Sequence, residues 1–375
     1  MTILRVIVEP MLDPTPGGIS RYTEELTREL IRSAPSGCSV EGVIAASTEA
    51  AYSSVRERLP GLAGLHKSTL ARRELTAAWQ HGFTRLPGMI HSPSLLAPLA
   101  RHDRLNNGDQ IAVTVHDVVA WTHPESIGSR AAAWHKAMAK RAQKYADAIV
   151  VPTHAVGDQL ADIGDFGDRI RVIGGAVSSK LTRPVDADAR AERLGLPERY
   201  LLAVDGLEAH RGIGELIRAL AQPGAAELPL LIVGPADGDE ALAAIIAEVA
   251  LPDGHVRGLG NLADADLAVV IERATVFVVP SLEEGFGIRM IEAFHFGTPV
   301  VHSDAAALIE VAGDAGVVVA RADADGYPER LARAISQVVE DSALAERLGI
   351  SGQDRAKAFS WRNSAEKVWQ LHADL

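Results

Sequence analysis

Short apolar, β-branched runs alternate with helical patterns along the whole chain, and this alternation constrains its fold more than any other feature. Parallel strands need long crossovers, usually helices, so such a rhythm is the pattern of parallel sheets built from βαβ units. The first half offers strands at Leu4–Val8, Val40–Ala45, Gly88–His91, Ile111–Val115, Ala148–Val151 and Arg171–Ile173, with the clearest helices at Ile19–Arg32 and Ser129–Tyr145. Ser178–Pro197, with Pro184, Asp186, Asp188 and no apolar period, interrupts the rhythm. It restarts with Tyr200–Val204, Pro229–Val233, Val256, Thr275–Val279, Pro299–His302 and Gly316–Val319.

At 375 residues the chain is long enough for two such domains. The expected division is a doubly wound domain over 1–185, a second over 186–358, and a terminal helix over 359–375, capped by Ser360 and crossing back to the first domain. Two doubly wound sheets facing each other would form a cleft at the carboxyl ends of their strands, where ligands of open α/β sheets bind.

Several classes are excluded. A net charge of -12 opposes general nucleic-acid binding, which relies on basic patches. Its distribution is uneven: residues 1–185 carry 21 Lys and Arg against 18 Asp and Glu, whereas residues 186–375 carry 16 against 31. The single cysteine, Cys38, can form no internal disulfide, in keeping with a reducing compartment. No run reaches the 18 uncharged apolar residues of a membrane helix, and Met1–Pro10 is too short an apolar run for a signal peptide, so a cytoplasmic location is expected. Arg56, Arg58, Lys67, Arg72 and Arg73, interleaved with Leu59, Leu62, Leu65 and Leu70, read either as a basic, apolar edge for peripheral contact with a membrane's inner face or as a solvated helical face.

Candidate chemistry falls just after strands. Gly17 and Gly18, in Pro14-Thr15-Pro16-Gly17-Gly18-Ile19, follow the first strand and open the first helix, which suits either a diphosphate or an ordinary βα turn. His116-Asp117 ends the strand Ile111–Val115, as a polar pair facing a ligand or as a turn cap with a packed histidine. Asp205-Gly206 through His210-Arg211-Gly212 follows Leu201–Val204 and offers cations for a phosphate, or merely solvated loop charges. The fourth segment runs from Glu284 through Gly285-Phe286-Gly287-Ile288-Arg289 to Glu292. The eight-residue spacing places one carboxylate at a helix mouth and the other about two turns along, able to hold separate parts of a long ligand, with an anion site between them. The triplets Asp237-Gly238-Asp239, Asp264-Ala265-Asp266 and Asp323-Ala324-Asp325 match a two-carboxylate metal pattern, but such triplets are common in an acidic domain and read as turns and caps.

The run from Glu284 to Glu292, followed by Gly297-Thr298-Pro299-Val300-Val301, resembles the Glu-x7-Glu signature of glycosyltransferase family 4, retaining nucleotide-sugar enzymes of the GT-B fold. The resemblance extends through Gly17-Gly18-Ile19, Arg21-Tyr22, Val115-His116-Asp117, Val151-Pro152-Thr153, Leu207-Glu208, Arg211-Gly212 and Phe359-Ser360-Trp361. It implies catalytic roles for His116 beside the sugar, Arg211 on phosphate and Glu284 on sugar hydroxyls. It implies donor contacts for Gly17, Gly18, His210, Gly285, Phe286, Gly287 and Ile288, with Glu292 on the ribose. It further implies retention by front-face attack, in which the leaving diphosphate takes the acceptor proton, without a metal or other cofactor. Asp205, His210 and Arg211 stand where the family usually has Gly, Arg and Lys, and Ile288-Arg289 replaces Leu-Pro.

Val115-His116-Asp117 with Trp121, His123, Pro124 and Glu125 is most similar to bacterial mannosyltransferases, which favours GDP-mannose as donor and a glycan or lipid-linked acceptor. The alternatives are a donor of the UDP-glucose, UDP-GlcNAc or dTDP-rhamnose type, or a non-catalytic nucleotide-sugar-binding partner of another transferase.

Overall fold

The computed structural model describes residues 2–13, 17–234, 236 and 238–375. Among the described residues, thirteen strands form two sheets. The first contains β1 (Thr2–Ile7), β2 (Cys38–Ala46), β3 (Gly64–Ala71), β4 (Met89–Ser92), β5 (Gln110–Thr114), β6 (Ala148–Val151) and β7 (Ile170–Val172). The second contains β8 (Leu201–Val204), β9 (Leu230–Val233), β10 (Val256–Gly258), β11 (Val276–Val279), β12 (Val300–Ser303) and β13 (Val317–Val319). Their orders are β3-β2-β1-β4-β5-β6-β7 and β10-β9-β8-β11-β12-β13, with all paired strands parallel. In each, strand order reverses beside the first strand, and the crevice at that reversal is where doubly wound sheets bind ligands.

Alternate side chains of a strand point to opposite faces, so a strand covered on both sides is apolar throughout. In the second sheet Leu202, Val204, Leu231, Val233, Phe277 and Val279 pack on one face with Met290, Ile291 and Phe294 of the helix Ile288–Phe296. Their neighbours Leu201, Ala203, Leu230, Ile232, Val276 and Val278 pack on the other with Leu216 and Ile217 of Ile213–Leu220 and Leu331 and Ile335 of Tyr327–Glu340.

The chain divides into Met1–Gly175 with Ser360–Leu375, and Ala176–Phe359. The division precedes the expected 185/186 break because Leu181, and Val177 beside it, pack into the second core. The supposed linker also holds a short helix, Ala187–Arg193, whose buried side is only Ala187 and Ala191. Strand β3 was not expected as a strand: it lies at a sheet edge and carries His66 and Lys67 rather than a continuous apolar run. Part of the basic stretch around it is paired within the fold. Arg58 holds Glu24 and the Met11 carbonyl, Lys67 lies 2.9 Å from Glu49, Arg72 holds Asp13 and Glu9, and Leu59 is buried.

Ser360 caps the helix Trp361–Asp374, its hydroxyl accepting from the Asn363 N–H. That helix is part of the first unit: Ser364 Oγ donates to the Gly174 carbonyl at 2.7 Å and Trp369 Nε1 to the Leu30 carbonyl at 3.2 Å. His372 Nδ1 lies 3.0 Å from Gln110 Oε1, and its ring meets that of His91 edge-on at 5.6 Å. Both rings are buried, and burial pushes His91 well below the usual imidazole range and His372 down to about 4. In the unfolded chain these groups bind protons near pH ~6.5. The native state therefore loses stability as pH falls from that value through the lowered folded pKa, on the order of 3 kcal/mol by pH ~4 for His372. Urea unfolding between pH 4 and 8 should show this slope, and His372→Phe should flatten it. An unchanged slope would place the acid sensitivity elsewhere.

Candidate functional site

The backbone leaves β8 at Asp205, whose N–H donates to the Val233 carbonyl at 3.0 Å, and closes a short turn at Ala209–Arg211. Gly212 ends that turn at φ +71°, and a Cβ there would lie 2.2 Å from the Pro280 carbonyl oxygen. Only glycine lets this turn press on the chain leaving β11. The consequence is placement of Arg211 over the ends of two adjacent strands, at the reversal of the sheet. Its Nε is 3.2 Å from Asp205 Oδ1 and its Nη1 is 3.0 Å from Glu284 Oε2.

Glu284 lies in the loop between β11 and the helix Ile288–Phe296, and the loop is fastened at several points. The His210 carbonyl accepts from the Leu282 N–H at 2.7 Å and the Glu283 N–H at 3.4 Å. Arg321 donates to the Leu282 carbonyl while its Nε holds Asp304 at 2.6 Å, and Tyr327 donates to the Pro280 carbonyl at 3.0 Å. Gly287 turns the chain into the helix at φ +76°, where a Cβ would lie 2.5 Å from Leu308 Cδ2. Because this loop is not helical, Glu292 is the fifth helical residue, about one turn in rather than two. It is fully buried and accepts from Arg289 Nη1 at 2.7 Å.

Asp205, Arg211, Glu284, Arg289 and Glu292 are thus brought together in one unit, three carboxylates with two guanidiniums. Burial pushes Asp205 up to about 6; Arg211 and Arg289 pull in the other direction, and Glu284 adds to the rise. Burial also opposes the Arg289 charge, but the Glu292 carboxylate beside it carries its pKa upward.

His210 is 4% exposed, which sets aside its reading as a solvated loop charge, and it fastens the loop through its carbonyl. Asp304 and Arg321 have no signal of their own in the sequence, since they follow β12 and β13 and meet the loop only through the sheet. In the triplets read as turns and caps, three of the carboxylates are held within the fold. Asp239 accepts from the Ala241 and Leu242 N–H groups, Asp266 holds Arg190 and Arg193, and Asp323 lies 3.7 Å from Arg330; Asp237 falls outside the described residues.

In the first unit, Gly17 caps the helix Gly18–Arg32 in an extended conformation, and a Cβ at Gly17 or Gly18 would meet nothing within 4 Å. Among the described residues no atom demands these glycines. Pro14, Thr15 and Pro16 fall outside the described residues. His116 leaves β5 and donates from Nε2 to the Pro93 carbonyl at 2.7 Å, which leaves Nδ1 as an acceptor. Burial holds its pKa below the usual range, against the opposite influence of Pro93 and Asp117. Its ring meets Tyr22 edge-on at 4.8 Å, and Tyr22 meets Trp361 at 5.3 Å. Asp117 accepts from the Val119 N–H and shapes the following turn.

Comparison with known proteins covers both units. Residues 16–180 match the family described as Glycosyltransferase Family 4, and residues 185–355 match Glycosyl transferases group 1. O-antigen chain mannosyltransferase B of Escherichia coli is 28% identical over 288 residues, which is 73% of this chain and 71% of that protein. D-inositol 3-phosphate glycosyltransferase of a Nocardioides species is 31% identical over 249 residues, 60% of this chain and about half (53%) of that one. Among solved structures, HepE of Anabaena in complex with UDP and glucose aligns over 100% of both chains with a TM-score of 0.74 at 18% identity, a likeness of fold.

Proposed function

Since this chain belongs to glycosyltransferase family 4 and has its GT-B type of fold, we propose that it moves a hexosyl group, mannosyl favoured, from a nucleotide-diphosphate sugar to a glycan or lipid-linked acceptor with retention of configuration. The observation that carries this reading is the Arg211 guanidinium, held by Asp205 and Glu284 at the sheet reversal beside a glycine-rich loop and the buried Glu292.

A diphosphate seated there neutralises Arg211 and replaces a carboxylate that now occupies it. As the bond between the anomeric carbon and the diphosphate oxygen breaks, negative charge grows on that oxygen, and a fixed guanidinium stabilises it without reorganising. The acceptor oxygen forms its bond on the face the diphosphate is leaving, and its proton passes to the departing diphosphate. Glu284 accepts hydrogen bonds from sugar hydroxyls, and Glu292 with Arg289 orders the helix start that receives the nucleotide. His116, unprotonated at Nδ1, accepts from a hydroxyl of the transferred sugar. Gly17 and Gly18 leave backbone room for phosphate oxygens. No step calls on a metal. Mannose is favoured by the His116 segment and by the likeness to the O-antigen mannosyltransferase.

The first test is a thermal-shift comparison of GDP, UDP, ADP and dTDP with their sugars, since a ligand of the native state raises Tm. The favoured donor should then yield free nucleotide and an α-linked product by NMR. Binding without turnover across acceptors would favour the non-catalytic partner, and an inverted anomer would remove the mechanism.

Asp205 gives this site a pH dependence. Below its raised pKa of about 6 it is neutral and releases Arg211 to the diphosphate; above, it competes. Nucleotide affinity should therefore fall as pH rises from 5 to 7.5, by about tenfold if the competition is worth one pKa unit. Asp205→Gly should bind more tightly at neutral pH and lose that slope. Parallel profiles for the two proteins would show that Asp205 does not face the ligand.

A further inference from the structure

Tyr22 and Trp361 come from opposite ends of the chain and meet beside His116, and no step of the proposed reaction uses either. Tyr22 stands on the inner face of the helix Gly18–Arg32 with Leu26 and Leu30, and all three are buried. Trp361 is the first residue of the helix Trp361–Asp374 and is 8% exposed. The two helices keep register: Trp361 meets Tyr22, and eight residues further along each helix Trp369 Nε1 donates to the Leu30 carbonyl. The Ser360 cap lies on one side of Trp361, and Ser364 Oγ on the Gly174 carbonyl lies on the other. Trp361 is therefore fixed at both sides and forms a stop behind Tyr22.

What needs such a stop is the His116 ring. Rotation about the Cβ–Cγ bond of a histidine has broad wells, so the ring plane swings unless something packs against it. The hydrogen bond from Nε2 to the Pro93 carbonyl, at 2.7 Å, holds one ring atom. Nε2 lies near the axis of that rotation, so its bond limits the swing only weakly. Nδ1 lies further from the axis and is the atom that moves. The Tyr22 ring stands against the imidazole at 4.8 Å with the two planes 85° apart, an edge-to-face contact that a swing of the imidazole would break.

We propose that Tyr22 and Trp361 are positioning residues for His116, one ring backing the other so that the imidazole keeps Nδ1 toward the ligand. The inference rests on the glycosyltransferase reading, which gives Nδ1 a sugar hydroxyl to meet. A hydrogen bond depends on direction, so a swing of the ring loses it without removing any group. The donor is held by its diphosphate as well, and the loss should fall on kcat rather than on KM for the donor.

The test compares Trp361→Leu with Trp369→Leu, the same change further along the same helix at a position that is also buried. Both should lower the midpoint of urea unfolding. Trp361→Leu alone should lower kcat, about tenfold with donor KM held within about twofold, and Trp361→Phe should recover most of the loss. Tyr22→Leu should lower kcat likewise, with recovery in Tyr22→Phe. Nitrogen NMR of the imidazoles gives a second readout, the His116 signals being those that vanish in His116→Gln. In the unaltered protein Nε2 should carry the proton, and the ring should titrate below the usual ~6.5 because it is buried. In Trp361→Leu and Tyr22→Leu the tautomers should mix and the titration should move up, while Asp117 and His135, whose charges bear on His116, are unaltered. Equal falls in kcat for Trp361→Leu and Trp369→Leu would reduce Trp361 to packing and overturn the proposal. His116 signals unchanged in Tyr22→Leu would overturn it too. Failure of the glycosyltransferase reading would appear separately, as absence of nucleotide-sugar turnover in the unaltered protein, and the His116 signals would still report whether the two rings hold it.

Discussion

Arg211→Ala is expected to lower kcat about 10²–10³-fold, the cost of removing one fixed donor from a developing oxyanion. The loss should be larger in kcat than in KM, because the guanidinium meets more charge in the transition state than in the bound donor. Thermal unfolding should change little, since Arg211 is partly exposed and its two partners can be rehydrated. The carboxylates left behind then repel each other, so Asp205 should titrate above about 6, where it lies beside Arg211. Arg211→Lys, the residue usual in the family, should recover part of kcat. A kcat near that of the unaltered protein would place leaving-group stabilisation elsewhere.

Glu284 and Glu292 should separate, and Glu292→Ala should produce the larger change in stability. Its carboxylate is fully buried and holds Arg289 at 2.7 Å. Removing it leaves a partly exposed guanidinium with one partner fewer and a gap at a fully buried position, which together cost about 3 kcal/mol. Donor affinity should fall with it, because Arg289 stands in the first turn of the helix that follows the glycine-rich loop. Glu292→Gln, which keeps the shape and one acceptor, should recover more stability than affinity. Glu284 sits on a loop and meets Arg211 where both are partly buried, so Glu284→Ala should cost less stability than Glu292→Ala and lower turnover. The measurements are urea unfolding and a KM-against-kcat comparison. Matching effects of the two alanine changes on both readouts would remove the division of roles.

The strands that were legible are those covered on both faces. Val276–Val279 and Ala148–Val151 are continuous apolar runs because both of their sides meet a core. Strand β3 was hidden because its edge position asks for no such run, and Ala187–Arg193 because alanines cover its inner side. The candidate segments were legible where a chemically able side chain and local geometry coincide. Gly212 and Gly287 stand at positive φ, where an added Cβ would collide, and they flag the turns that carry Arg211 and Glu284. What could not be read was direction. His210 and Arg211 are neighbours of the same charge class, yet one goes under the loop and the other over the strand ends, a choice made by packing against Pro280 and Leu282. The Asp304–Arg321 strut joins residues that only the sheet brings together.

The helix Trp361–Asp374 has a consequence for the order in which the chain acquires its structure. On a ribosome, domains fold as units while the chain emerges. Ala176–Phe359 is continuous, so all its strands and covering helices are available before residue 360 is added. The first unit begins earlier and finishes later. Leu30 and Gly174 must wait for Trp369 and Ser364, and Gln110 for His372. Through that interval the surface that this helix covers stands open, and a segment synthesised after the whole second unit is the part that closes the unit begun first. Emergence of Trp361–Asp374, rather than of the first half of the chain, is then the event that completes the unit carrying His116.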